Sequence, residues 1–556
     1  MAKFSKYQPK VKRGTSPLTT SGEATERTFN GAAGYLRSPE GEAFLLASGG
    51  FLGGEKTFYE GGDARDERFR FLIRELSATN PDWVANFLSW LRREGNIRTA
   101  AIMGAAEYVW ARRDEAGTGR TGVTHPTPSK TTREVVRSVL MRPDEPQEII
   151  GYWMARYGRA IPMPIKRGVG DAINHLYHQR NVIKYDSDKR GLRMADVLKL
   201  VHPKPVGPAQ NMLFDYMMAE RFGRVDRFDI KGLTTIEARE DLLRLPVQDR
   251  RKVLREQPEL LQEAGFTWES IAGWLQGPMD AAAWEAAIPL MGYMALLRNL
   301  RNFDKAGISD DAAEKVQFKL TNKAEVARSR QLPFRFWSAY KATQGNLRWS
   351  WVAERALTYS LENVPSLDGN TLILVDRSGS MFHSASDHSD VMWSDMAALF
   401  GAAIALRAEN ADLVQFGTHS DRINFSRAES VLGVVDKFTS MGGTNTHAAI
   451  AEHLKSAHTR VIIITDEQCS PGYVNAWNDY RYQNQGVSIN SLVRSEIPVY
   501  MWNFGGYKAS MMENAGMENR HCFGGLTDSS FKLIPLIEAG MDAGWPWEFS
   551  TPDSGR

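Results

Sequence analysis

Asp376, Ser378 and Ser380 stand at alternate positions in the run Thr371-Leu-Ile-Leu-Val-Asp-Arg-Ser-Gly-Ser380, where an apolar stretch ends abruptly in an Asp-x-Ser-x-Ser loop. One carboxylate and two hydroxyls make an all-oxygen set, suited to a hard divalent cation such as Mg²⁺. Gly442-Gly-Thr444 adds a hydroxyl on a loop that glycine makes permissive, and Val461-Ile-Ile-Ile-Thr-Asp466 is a second apolar run ending in a carboxylate. On its own, Asp376 reads equally well as a strand-end turn or a helix cap. The three loops in this order make the metal reading. The elements that must position them are β-strands of an open α/β sheet, where ligands gather beyond the carboxyl ends of the strands.

These positions resemble the metal-ion-dependent adhesion site of the von Willebrand factor A fold, which Asp376, Ser378, Ser380, Thr444 and Asp466 match one by one. His383, Asp387, His388 and Asp390 crowd the loop that follows, but their spacing fits no transition-metal pattern and reads as a solvated loop.

At 556 residues, 42% hydrophobic and 24% charged, the chain is globular and too long for one ordinary core. No apolar run reaches membrane-spanning length and Met1-Ala-Lys-Phe-Ser-Lys lacks a signal-peptide core, so a cytoplasmic protein without a membrane segment is expected. Two cysteines, Cys469 and Cys522, argue against a disulfide scaffold and a zinc site. No Walker-type sequence and no evident general base accompany the metal loops, so the expectation is a binding protein and not an enzyme. The net charge of +2 is divided: from Ser366 onward 13 basic residues face 22 acidic ones, and before it 55 face 44. A basic front suits a polyanion such as nucleic acid, although solvated surface charge explains the imbalance as well.

Residues 1–22 carry five Lys/Arg and no acid, and read as a flexible basic tail. From about 30 to 360 apolar residues recur at helical spacing, as in Trp83-Val-Ala-Asn-Phe-Leu-Ser-Trp-Leu91, with short breaks between segments. Such a succession suits stacked helical pairs. Beyond Pro365, the β-prone stretches 371–375, 411–416, 460–465 and 498–504 alternate with helical patterning at 391–408, 446–457 and 530–540, the signature of a doubly wound parallel sheet. The expected domains are therefore a helical one over 23–365 and an α/β one over 366–556.

Several local strings, Phe44–Tyr59, Lys166–Arg180, Arg193-Met-Ala-Asp-Val-Leu-Lys-Leu-Val-His-Pro-Lys-Pro205, Ala295–Leu300 and Pro333–Trp337, resemble the Ro autoantigen family, whose helical module is called TROVE. With the metal loops they span about residues 30–540. The resemblance implies a monomeric ring of HEAT-like helical repeats closed by a von Willebrand A domain. It further implies binding of a small structured Y-like RNA on a basic outer surface, and of single-stranded 3′ ends of misfolded or damaged RNA in a central hole. In bacterial relatives the implied partner is an exoribonuclease such as polynucleotide phosphorylase, and the implied role is RNA quality control. A metal-dependent protein-adhesion module or chaperone scaffold is the alternative.

Between Arg180 and Lys204 seven Lys/Arg face three Asp, a density suited to phosphate contacts. The expected RNA-binding residues are Lys166, Arg167, Lys184, Lys189, Arg190, Arg193, His202 and Lys204; one family lysine falls instead at about Tyr185. Arg298 and Arg301 read equally as backbone contacts in a hole or as ties between helices. Trp337, Tyr340 and Trp349 read as core packing ahead of base-stacking platforms.

Overall fold

The computed structural model of the chain describes residues 15–49, 52–54, 57–113, 127–188, 191–329, 331, 333–361, 364–384, 391–470, 488–525, 533–539 and 544–548. It divides into two compact units, one of residues 1–72, 332–334 and 361–556 and the other of 73–331 and 335–360.

The strands of the first unit are, in chain order, β1 (Thr20–Arg27), β2 (Ala33–Arg37), β3 (Leu367–Asp376), β4 (Ala408–Phe416), β5 (Ser420–Arg422), β6 (Arg460–Thr465), β7 (Val499–Asn503), β8 (Ala509–Ser510) and β9 (Arg520–Gly524). Six of them form one sheet in the order β5-β4-β3-β6-β7-β9. The apolar runs set its centre: Leu372–Val375 and Val461–Ile464 are buried along their whole length, as strands covered on both faces must be. The helix Trp393–Arg407 packs on β3, β4 and β6 and is itself buried nearly throughout. A Cβ on Gly401 would lie 2.4 Å from Val375 Cγ2, so glycine is what lets this helix rest on β3. The parallel ladder expected from the alternation holds for five strands, but β5 runs antiparallel to β4. The tight turn at Gly417–His419, closed by Gly417 N–H to His419 O at 2.8 Å, folds β5 back as a hairpin arm and a short edge.

The amino-terminal boundary differs from expectation. Residues 1–14 of the expected tail lie outside the described residues, and from there the chain is built in, with Leu18 and Thr20 buried and β1 beginning at Thr20. Segment 23–72, expected with the helical domain, packs with the α/β unit instead. The physical cause is non-local pairing: β2 joins β8 through Tyr35↔Ser510 and Leu36↔Ala509, the buried Arg37 donates to Glu467 at 2.7 Å, and Arg65 donates to the Gly505 carbonyl at 2.8 Å.

The second unit is helical throughout its described secondary structure, from Pro81–Arg93 to Ser350–Ser360. Helix Pro81–Arg93 turns Trp83, Val84, Phe87, Leu88 and Leu91 inward at helical spacing. Helix Thr132–Val139 starts on a capping box, Thr131 with Glu134, which satisfies donors that the first turn leaves over. Buried acids tie helices together: Glu145 accepts from Arg92 and from the Met141 and Arg142 amides, while Glu107 accepts from Arg74, Tyr152 and Tyr157. Trp337 and Trp349 are buried, as core packing requires, and Tyr340 stacks on Trp337 at 5.8 Å.

Candidate functional site

Asp376 ends β3 and Asp466 follows Thr465, the last residue of β6, so two adjacent parallel strands deliver two carboxylates to one edge of the sheet. Both carboxylates are fully buried. Asp376 Oδ1 accepts from the Ser378 amide at 2.8 Å and Oδ2 from the Thr465 hydroxyl at 2.6 Å. The hydroxyls of Ser378 and Ser380 lie 3.3 Å apart, and the Ser380 hydroxyl faces both Asp466 and the Tyr59 phenol. Asp466 Oδ1 accepts from the Gln468 amide at 3.1 Å, while Oδ2 is buried without a hydrogen-bond partner.

The third loop is docked by backbone. Ser378 bridges Gly442, the Gly379 amide donates to the Gly442 carbonyl at 2.6 Å, and the Met441 amide donates to the Arg377 carbonyl at 2.9 Å. Gly442 sits at φ +80°, a left-handed conformation that side chains resist. Two residues on, the Thr444 carbonyl accepts from the Ser470 amide at 3.0 Å, which holds the buried Thr444 against the loop after β6. All five residues expected at the metal are thus brought to this edge.

Neither carboxylate has an ion-pair partner among the described residues, and the charge of Arg377 lowers Asp376 by less than burial raises it. Burial raises the carboxyls of Asp376 and Asp466 above the usual range, and the neighbouring Asp376 charge helps push Asp466 to about 7. Arg377, the cation nearest in sequence, turns away: it donates to the Thr439 and Ser394 carbonyls and lies over Phe382 at 4.8 Å, and burial lowers it to about 10. The orphaned Asp466 oxygen, the two carboxylates and the ring of hydroxyls fit a hard divalent cation. Among the described residues no group of three or more His, Cys, Asp and Glu is placed to hold a metal, which leaves a mixed carboxylate–hydroxyl set as the candidate. Asp387, His388 and Asp390 lie outside the described residues. Thr465 and Tyr59 were missed by sequence reasoning; Thr465 was signalled only by its place before Asp466, and Tyr59 by nothing local.

The residues expected on RNA separate into two groups. In the helix Met163–Leu176 Arg167 is exposed and Lys166 partly so, and Lys184, His202 and Lys204 are exposed. None of these five has an ion-pair partner among the described residues. His202 caps the helix Met194–Val201 in the left-handed conformation at φ +52°, which turns the chain there. Arg193 behaves oppositely. Its guanidinium binds Asp186 at 2.7 Å, Asp188 at 3.0 Å and Glu220 at 3.0 Å, with 13% of the side chain exposed, and Asp186 above all, with Glu220, raises it above the usual arginine range. It is a structural tie, because the acids that fix it already occupy its donors. Lys189 and Arg190 lie outside the described residues. Arg298 and Arg301 are exposed; burial lowers Arg335, and the charge of Arg298 adds to that.

A helical unit carrying an exposed basic segment and an α/β unit bearing a strand-end carboxylate pair are the two features on which known proteins can be compared. Residues 264–354, within the helical unit, match the model of the TROVE domain. The chain is 26% identical to the RNA-binding protein RO60 of Deinococcus radiodurans over 319 residues, which are 53% of this chain and 57% of that relative. It therefore spans little more than half the length of the curated relative it matches. It is also similar to the crystal structure of the Deinococcus radiodurans RO (RSR) protein, at TM-score 0.56 and 19% identity, over 90% of this chain and 100% of that one. The last likeness is one of fold. All three agree with the Ro resemblance read from the sequence strings, and the named relative is an RNA-binding protein. Among the described residues no helix is long and apolar enough to cross a membrane.

Proposed function

We propose that this protein is an RNA-binding scaffold of the Ro type, in which the helical unit holds RNA and the α/β unit, a von Willebrand factor A domain, holds a divalent cation. The observation that carries the RNA reading is that exposed cations in segment 166–204, among them Lys166, Arg167, Lys184 and Lys204, have no acid partner among the described residues, beside an arginine that is fully paired. Lysines and arginines without acid partners bind phosphates and release counterions. The similarity to an RNA-binding protein of Deinococcus radiodurans supports the same reading. A structured Y-like RNA is the ligand of this face, and single-stranded 3′ ends of misfolded RNA take the central hole that the Ro resemblance implies, where backbone contacts tolerate any sequence. The role is RNA quality control in the cytoplasm, alongside an exoribonuclease such as polynucleotide phosphorylase.

At the second site Asp376 and Asp466 hold Mg²⁺, with Ser378, Ser380 and Thr444 as neutral ligands directly or through water. The cation supplies an acceptor of anionic oxygen and lifts the like-charge repulsion between the two carboxylates. This chain's residues do the rest: Thr465 fixes one Asp376 oxygen, and the Gly442 loop fixes the position of Thr444.

The RNA reading is tested by crosslinking the protein to RNA in cells and sequencing what is bound. A recurring structured RNA together with heterogeneous 3′ ends is the expected result; recovery at the level of an uncrosslinked control would overturn it.

A further inference from the structure

Glu467, the residue after Asp466, stands at φ +64°, in the left-handed region that favours glycine. A glutamate held there needs a reason in its side chain, and the structure supplies one. Its Oε1 accepts from Arg37 Nη2 at 2.7 Å and from Asn503 Nδ2 at 2.8 Å, while Oε2 accepts from the Ser510 hydroxyl at 2.5 Å and the Met511 amide at 3.0 Å. The next two residues are fixed from the same stretch of chain as Arg37. The Phe29 amide donates to Gln468 Oε1 at 2.8 Å, Asn30 donates to the Gln468 carbonyl, and the Thr28 hydroxyl donates to the Cys469 carbonyl at 2.8 Å. Three consecutive residues behind Asp466 are thus held by a segment 430 to 441 positions away in the chain. From there the bonding runs on to the carboxylates. The Glu467 amide donates to the Thr465 hydroxyl at 3.0 Å, which donates to Asp376 Oδ2 at 2.6 Å, and the Gln468 amide donates to Asp466 Oδ1 at 3.1 Å. Asn30 also donates to the Tyr59 phenol at 3.0 Å, and that phenol lies against Ser380.

We infer that residues 28–37 are a positioning segment for the cation site, with Arg37 as its main tie: they fix the loop that carries Asp466, so that cation affinity is set in part by a stretch of chain that touches no cation. The inference rests on the divalent-cation reading given above. Groups that orient the ligands of a metal bear on its affinity, because a ligand free to turn must be ordered when the ion binds. The coupling runs both ways. A segment that raises cation affinity is itself held more firmly once the cation is bound. A segment that only holds the fold together leaves the affinity of the folded protein alone, and that difference can be measured.

The test uses the full-length protein, with Mg²⁺ affinity measured by calorimetry and amide hydrogen exchange followed over residues 28–37. Arg37 is buried and its loss would strand the Glu467 carboxylate, so the variants remove the two smaller contacts instead. Thr28→Val, which keeps the volume and removes the hydroxyl, combined with Asn30→Ala, should weaken Mg²⁺ binding about tenfold, the lower end for a lost orienting contact, although neither residue is a ligand. Leu367→Ala is the control, a core truncation at the end of β3 far from Asp376. It should lower the denaturation midpoint and leave Mg²⁺ affinity unchanged. With each protein saturated, Mg²⁺ should slow exchange over 28–37 more in the wild type than in the double variant. Wild-type affinity in the double variant would make the segment structural alone, overturning the inference while leaving the cation site intact. An equal loss of affinity in Leu367→Ala would overturn it too, since the effect would then follow lost stability and not position. Wild-type protein that takes up no Mg²⁺ removes the cation reading and the inference with it.

Discussion

Two regions of this molecule concentrate charge, and they dispose of it in opposite ways. At the strand-end edge Asp376 and Asp466 are buried side by side with no cation among the described residues to receive them, and one oxygen of Asp466 has no partner. In segment 166–204 the charge is positive, and there the structure sorts it: Arg193 is taken up by Asp186, Asp188 and Glu220, while Lys166, Arg167, Lys184 and Lys204 have no acid partner among the described residues. A charge that the fold satisfies is part of the fold, and one it leaves unsatisfied waits for something from outside. Residue type alone does not separate the two, since Arg193 lies in the midst of the basic run.

The comparison can be broken most decisively at Asp376. Asp376→Ala should remove divalent-cation binding from the range calorimetry detects, since hydroxyls alone hold a hard cation weakly, and should leave RNA affinity nearly unchanged. Unaltered Mg²⁺ or Mn²⁺ binding would show that the ligand set is wrong. Next in size, Arg193→Ala should cost about 1–2 kcal/mol of stability in denaturant unfolding, because it strands the buried Asp186 carboxylate that the guanidinium now satisfies. A loss of RNA affinity with stability unchanged would reverse its assignment.

The third expectation concerns pH. Asp466 is raised in the folded protein, so between the ordinary carboxylate range and about 7 the folded state binds more protons than the unfolded one. In chelator, stability should therefore fall as pH rises through that window, and saturating Mg²⁺ should remove the fall. A chelated protein whose denaturation midpoint rises or stays level over the same window would contradict the unpaired carboxylates. Smallest of all, Lys184→Ala or Lys204→Ala should change stability by under about 0.5 kcal/mol and make the log-affinity against log-salt line shallower by roughly one unit or less. A steeper slope or a clear loss of stability would move these lysines into the structural group.

Much of the α/β unit was legible because its signals are local. The runs around Ile373 and Ile463 carry strand propensity in every residue, each ends in an aspartate, and Gly442 marks the loop between them in sequence. What was not legible depends on contacts far apart in the chain. The hairpin of β1 and β2 joins the α/β unit through pairing with Ala509–Ser510, more than 470 residues away, and no periodicity within 20–37 announces a partner at that distance. Tyr59 reaches the strand-end cluster in the same way. Arg193 looks like any other base in a basic run until Glu220, 27 residues on, arrives beside it. The edge strand β5 was missed because three residues cannot display an alternation.

The central claim is that the unpaired cations, and not the paired one, hold RNA. It is tested most directly by measuring binding of one structured RNA across a salt series for the wild type, for Arg193→Ala, and for Lys166→Ala, Arg167→Ala, Lys184→Ala and Lys204→Ala combined. The fourfold variant should bind more weakly and lose roughly three units of the salt slope, about 0.7 to 0.9 for each phosphate contact removed, while Arg193→Ala should run parallel to the wild type. A fourfold variant that tracks the wild type at every salt concentration would contradict the account.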